Sequence, residues 1–537
     1  AFNITAAKTA TIEIVTSGQA LTISGNSGGA TTGALTKTGA GTLTLSGTNT
    51  YTGVTTISAG VLSVGTIGDG GVAGNLGQAT STASNLVFDG GTLQYTGSTA
   101  STNRAFNITA AKTATIEIVT SGQALTISGN SGGATTGALT KTGAGTLTLS
   151  GTNTYTGVTT ISAGTLVVGS AAPSGAAGAL GNASSAVLLG DTSGSANAAL
   201  VTNGAFAVAR NITVQAGSSG TATIGGSTAH SSSFTGNVVL NKDVILTAVS
   251  GGTATFSTGV ISGSYALTKT DVGTVVLSGT NTYTGVTTIS AGVLRATSAA
   301  ALGAIDNGTT VANGAALELS GGLTFNAEAL TLNGAGISSG GALRNISGDN
   351  TYVGAITLGS AARINSDSGT LSLDVASGDG ISGTYGVTFG GAGNVTVADP
   401  IATGTGSLTK DGAGTLTLSG TNTYTGVTTI SAGVLSVGTI GDGGVAGNLG
   451  QATSTASNLV FDGGTLQYTG STASTNRAFN ITAAKTATIE IVTSGQALTI
   501  SGNSGGATTG ALTKTGAGTL TLSGTNTYTG VTTISAG

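Results

Sequence analysis

The chain has 537 residues, of which only 6% are charged and 95 are Gly, with 15 basic against 19 acidic side chains for a net charge of −4. Ten Phe, ten Tyr and no Trp are too few large side chains for three ordinary globular cores. Two prolines, low charge and abundant β-branched residues argue against disorder, and the lack of any basic cluster argues against a nucleic-acid partner.

With no Cys, neither a disulfide framework nor a thiolate metal site is available. No Met occurs and no signal sequence is visible at Ala1, so the chain is expected to be a processed or excerpted segment. The longest uncharged run, Thr142 to Gly190, is broken by Pro, Asn, Ser and Gly and reads as loop and strand rather than as a membrane span.

Along the chain, the first strong pattern is LTKTGAGTLTLSGTNTYTGVTTISAGVLSVG at 35–65. Short apolar-polar-apolar triplets bounded by Gly, Asn and Ser predict strands with one buried face. Leu43, Leu45, Thr55, Ile57, Leu62 and Val64 are assigned inward, on three short strands separated by turns at Gly47 to Gly53 and at Gly60. The segment SGTNTYTGVTTISAG then returns unchanged at Ser150, Ser278, Ser419 and Ser523, with a decayed copy from Ser347. The lysine of the longer motif, which precedes each copy, recurs as Lys37, Lys141, Lys269, Lys410 and Lys514.

At a larger scale, 39–164 and 412–537 are identical, as are 1–60, 105–164 and 478–537, while 165–411 is divergent. Between Leu371, Val395 and Leu416 the strand pattern returns after 24 (395 − 371) and then 21 (416 − 395) residues, which suits one rung of a β-solenoid. Repetition on this scale fits a scaffold in which each repeat touches only its neighbours. The expectation is a single continuous three-sided all-β solenoid over 1–537, of about 24 rungs and about 115 Å at the usual inter-strand spacing.

The motif at 35–65, with the Leu-Gly turns at Leu76, Leu180, Leu302 and Leu449, resembles the autotransporter-associated β-strand repeat, also called the passenger-associated transport repeat. That resemblance implies a right-handed parallel β-helix exported through the outer membrane of a Gram-negative bacterium. Such a segment is displayed extracellularly as an adhesin or stalk, and the repeat serves secretion and folding of the passenger rather than catalysis.

Candidate chemistry is sparse. Asn49, Asn153, Asn281, Asn422 and Asn526 are expected to cap their own turns. Tyr51 and its equivalents are expected to pack beside those turns, and the repeated lysines to lie along the surface with a hydrated ammonium. Asp349, Asp374 and Asp399 recur every 25 residues, but their offsets from the preceding strands disagree, which speaks against a stacked cation site. His230 has no acidic neighbour in sequence, and no two acids are adjacent, so neither a Ser-His-acid triad nor a glycosidase pair is suggested. GDGISG at 378–383 matches a dinucleotide motif in letters only, because TYGVTFGG after it reads as a strand and not as a helix.

No catalytic, cofactor-binding or metal site is therefore expected. The favoured function is a non-catalytic fibre or adhesin stalk, with neighbouring repeats or like subunits end to end as partners. Host or cell-surface glycans or proteins are further candidate partners, and this segment is not expected to insert in a membrane. The alternatives are a carbohydrate-active β-helix enzyme and an ice-binding solenoid, the latter disfavoured because its Thr-x-Thr pairs recur mainly with the widely spaced motif. Both ends of the chain fall inside a repeat, so a longer rod is expected, with covalent continuation favoured over subunit association.

Overall fold

The computed structural model describes residues 2–29 and 31–537. The protein is an all-β parallel solenoid whose helical content among the described residues is three single 3-10 turns, Ala83–Asn85, Ile337–Ser339 and Ala456–Asn458. It divides into two compact units, Ala1–Tyr283 and Thr284–Gly537.

In the first unit the chain visits three faces in a fixed order. Ala34–Thr38 lies on the first face and Thr42–Leu45 on the second, and the segment around Asn49 crosses the third. Thr55–Ile57 then returns to the first face, paired with Ala34–Thr38, and Val61–Val64 to the second, paired with Thr42–Leu45. From Ala100–Thr102 onward the third face also carries strands, which stack through Ala124–Ile127, Thr146–Leu149 and Gly164–Val168 to Leu267–Thr270.

Parallel pairing places each side chain over its equivalent one rung away, and alternation sends every second one inward. Leu21, Leu43, Leu62 and Leu93 thus share one register row, and Leu43, Leu45, Ile57 and Leu62 are fully buried. Phenylalanines also meet across rungs: Phe88 and Phe106 edge to face at 5.9 Å, Phe234 and Phe256 stacked at 4.9 Å. Outward positions are mostly Thr and Ser, which suit a half-buried pleated surface.

Glycine marks the corners. At Gly60, φ is +62°, and a Cβ would lie 2.4 Å from the Gly39 carbonyl oxygen of the rung before. A side chain there would need both a left-handed backbone and space occupied by the neighbouring corner.

The repeat is not in phase with the rungs. Starting from Ala34–Thr38, the chain revisits the first face at Thr55–Ile57, Leu86–Phe88, Phe106–Ile108 and Ser131–Gly132. The identical segment Ala138–Thr142 then falls on the second face, between Thr113–Ile118 and Thr159–Ile161. An offset of 104 residues (138 − 34) is therefore four rungs plus one face.

The second unit repeats the arrangement. Leu408–Lys410 stacks between Val387–Gly390 and Thr428–Ile430, whereas its copy Ala511–Thr515 lies on the next face, between Thr486–Ile491 and Thr532–Ile534. One long strand, Ile356–Ser366, turns a corner: Ile356 to Leu358 pair on one face and Ala362 to Asn365 on the next. The 378–383 stretch contains the strand Ile381–Gly383, and Val387–Gly390 follows it, so no helix opens there.

One buried acid in this unit is titratable in an accessible range. Glu328 is 3% exposed, its Oε1 accepts a hydrogen bond from the Thr309 hydroxyl at 2.6 Å, and burial pushes its carboxyl up to about 7 from 4.5. Between those values the native state holds a proton that the unfolded chain has released. This contribution to stability is therefore fully present below about 4.5 and lost as the pH rises through about 7. The urea midpoint of the second unit is expected to fall between pH 5 and pH 8, by at most about 3 kcal/mol of stability. Glu328→Gln should flatten that dependence, and an equal slope in the variant would assign it to other groups.

Candidate functional site

The recurring polar residues of the repeat converge on the corners and on the gaps between rungs. Leu35 and Lys37 are two positions apart on one strand and so share a face, which is the inner one. Lys37 is fully buried, and its Nζ donates to the carbonyls of Thr38 at 2.6 Å, Gly39 at 2.9 Å and Ala59 at 3.1 Å. Lys141 and Lys410 repeat the arrangement on Thr142, Gly143 and Ala163, and on Asp411, Gly412 and Ala432. The expected hydrated surface lysine is thus corrected to an internal corner clamp. Three N–H donors meet three carbonyls that the glycine corner turns inward. Burial pushes the ammonium of Lys141, Lys269 and Lys410 down to about 8.

The asparagines also differ from the expected local caps. Asn49 Oδ1 accepts from the Ser27 backbone N–H at 2.9 Å in the rung before, and its Nδ2 donates to the Asn75 carbonyl at 2.9 Å in the rung after. Asn153 bridges Ser131 and Ala179, and Asn422 bridges Ile401 and Asn448, in the same way. Asn281 accepts from Ile261, while Asn526 accepts from Ser504 and donates to its own Gly524. A short amide reaches both neighbours because parallel rungs lie about 4.8 Å apart.

Tyr51 is buried, with its hydroxyl 2.9 Å from Thr55 Oγ1 and Gly77 against its ring. An exposed carbohydrate platform at this position is thereby ruled out.

Three buried arginines were not anticipated from the sequence. Arg104 donates to the carbonyls of Gly68, Ala79, Val72 and Gly77, and so holds the long third-face segment between Val64 and Leu86 from one side. Arg477 does the same for Gly441, Ala452, Val445 and Gly450, and Arg210 binds the Leu180 and Ser185 carbonyls. Their signal in the sequence is faint, a lone Arg ahead of an apolar triplet.

In the second unit a charged row crosses successive rungs. Glu318, 3% exposed, accepts from Arg295 at 2.8 Å and Arg344 at 3.1 Å, and Arg344 also reaches Asp367 at 2.6 Å. Outward hydroxyls align as well: Thr288, Thr310, Thr331, Thr357 and Ser382 share one register row. This row is one residue wide and so is not an array of Thr-x-Thr pairs.

The other candidates are structural too. Asp349 and Asp399 accept backbone N–H groups of Thr370 and Val375 in neighbouring rungs, and Asp374 is exposed. His230 Nδ1 lies 3.1 Å from the Thr228 hydroxyl at the surface. Among the described residues no three His, Cys, Asp or Glu side chains cluster as metal ligands, and no helix is long and apolar enough to cross a membrane.

These corners coincide with a known sequence family. The passenger-associated-transport-repeat family matches residues 35–64, 139–168, 267–296, 408–437 and 512–537, each match beginning within two residues of a buried lysine. The chain is a passenger-associated-transport-repeat protein. It is 37% identical over 507 residues to "Adhesin BmaC autotransporter" of Brucella suis biovar 1 (strain 1330), an alignment covering 81% of this chain. The chain spans 14% of that relative's length. No solved structure matches it. In this passenger-associated-transport-repeat protein each matched segment supplies one lysine corner and one asparagine bridge, so the family motif marks the bonds that join rungs.

Proposed function

We propose that the chain is a non-catalytic segment of an adhesin displayed on the surface of a Gram-negative bacterium, serving as a stalk that carries contact surfaces away from the cell. One observation carries this: the repeat commits its Lys and Asn side chains to joining rungs and buries its Tyr beside them, so what is multiplied five times is a means of extension. The relative's printed name, an adhesin autotransporter, supports the same reading. End-to-end continuation by further repeats belongs to this proposal.

The test is display of the chain on a non-adherent Gram-negative host, with surface exposure checked by antibody. Attachment to cultured epithelial cells is expected to rise several-fold over a host displaying an unrelated passenger. Equal attachment at equal display would overturn the adhesin reading, and turnover of a polysaccharide by the purified chain would overturn the non-catalytic one.

A further inference from the structure

A cleft of about 540 Å3 in the first unit runs along the edge between the second and third faces, and a second cleft of about 280 Å3 adjoins it at Thr221. Their common floor is one outward register row on five successive strands: Thr165, Ala199, Thr223, Ile245 and Thr268. At about 4.8 Å per rung the row is about 19 Å long. The rim is formed by exposed corner residues, among them Ser121, Asn197 and Ser219.

Three properties define what this groove can hold. Its charges are internally satisfied: Lys242 Nζ donates to the Ser218 and Gly220 carbonyls, and Asp243 Oδ1 accepts the Ala266 N–H at 2.9 Å. One lysine and one aspartate side by side leave no excess of either sign, and both are held by backbone groups, so the groove favours an uncharged ligand. The floor strands are paired on both sides within the sheet, so no backbone edge is open for an added peptide strand. Just beyond the second cleft stands one large aromatic: the pairing of Val244 with Leu267 sets Tyr265 one rung past the lining residue Lys242, and it is 41% exposed, whereas Tyr51, Tyr95, Tyr155 and Tyr283 are buried. A long, narrow, hydroxyl-bearing trough with a single exposed aromatic offers hydrogen bonds to hydroxyls along its length and one stacking face.

We propose that this groove binds an extended strand of a neutral polysaccharide, lying along the solenoid edge from Ser121 towards Tyr265. The proposal supplies a ligand class for the adhesin reading and rests on it. Thr223, at the centre of the floor, is half-buried and points away from the core, so Thr223→Arg fills the trough without touching the apolar rows.

The experiment is calorimetric titration of the purified 537-residue chain with hexamers and dimers of β-1,4-linked glucose, xylose, mannose and N-acetylglucosamine, and with a Ser/Thr decapeptide. At least one hexamer is expected to bind about tenfold or more tightly than its dimer, and the decapeptide not at all. Thr223→Arg should abolish that binding and Tyr265→Ala weaken it about tenfold, with Thr223→Ser and the thermal unfolding of all three variants unchanged. Binding of the decapeptide alone, no binding of any hexamer, or hexamer binding that survives Thr223→Arg would overturn the proposal. Attachment of displaying cells that persists with Thr223→Arg would overturn the groove as the adhesive surface and leave the adhesin reading standing. Loss of attachment by the wild-type display would remove the adhesin reading itself.

Discussion

Leu62→Asp is expected to unfold the rungs around it at a cost of at least about 4 kcal/mol, while Thr44→Asp on the outer side of the same face costs less than about 1 kcal/mol. Leu62 is fully buried and sits in a register row of leucines, between Leu43 and Leu93. A carboxylate there has no partner, because the nearest corner ammonium, Lys37, belongs to the first face and is committed to three carbonyls. Ile57 is a less clean target, since it stacks directly on Lys37, which an introduced acid could reach. Hydrogen exchange should show the loss confined to the neighbourhood of 42–95, because repeats in a solenoid depend on their nearest neighbours. A more severe effect from Thr44→Asp would invert the assignment of faces.

Arg104→Met is expected to release the third-face segment between Val64 and Leu86 at a local cost of about 3 kcal/mol. Four backbone carbonyls, of Gly68, Ala79, Val72 and Gly77, lose a charged donor together, and charge-assisted hydrogen bonds are the stronger class. Arg104→Lys should recover only part of this, since one ammonium cannot serve the separate directions that the guanidinium fork serves. Limited proteolysis is the direct readout, with new cleavage between Gly68 and Ala79 in the variant. Resistance equal to wild type would show that the segment is held by its own asparagine bonds, such as Asn75 to Gly65 and Thr66.

Much of this architecture is legible in the residues. Alternation around Leu43 and Ile57 announces parallel strands with one buried side, and the glycines at each corner announce where the chain bends. The lysine was legible in principle as well: it stands two residues after Leu35, and period-two alternation puts both on one side. Against that signal stands the ordinary preference of an ammonium for water, and the carbonyls that replace water here belong partly to a corner 22 residues later. The asparagine bridges are hidden in the sequence for the same reason, their partners lying 22 residues before and 26 after. Arg104 offers even less, since its acceptors are bare backbone in a segment of irregular length. The groove was invisible in sequence because its floor is a row taken one residue at a time from five separate strands.

The mismatch between block length and rung has a genetic consequence. Residues 1–60 and 105–164 are identical, so an exchange between them would remove 61–164, a loss of 104 residues (165 − 61), and join Gly60 to Thr165 through a junction that already exists in the chain. Every local contact at the seam would be preserved, yet all that follows within the unit would be swung a third of a revolution about the axis. Reach and bearing are thus changed by one event: a shorter array also aims the trough floored by Thr223 at a different quarter of its surroundings. Three such exchanges of the same sense, 312 residues (3 × 104), would be needed before the surface faced its original direction again.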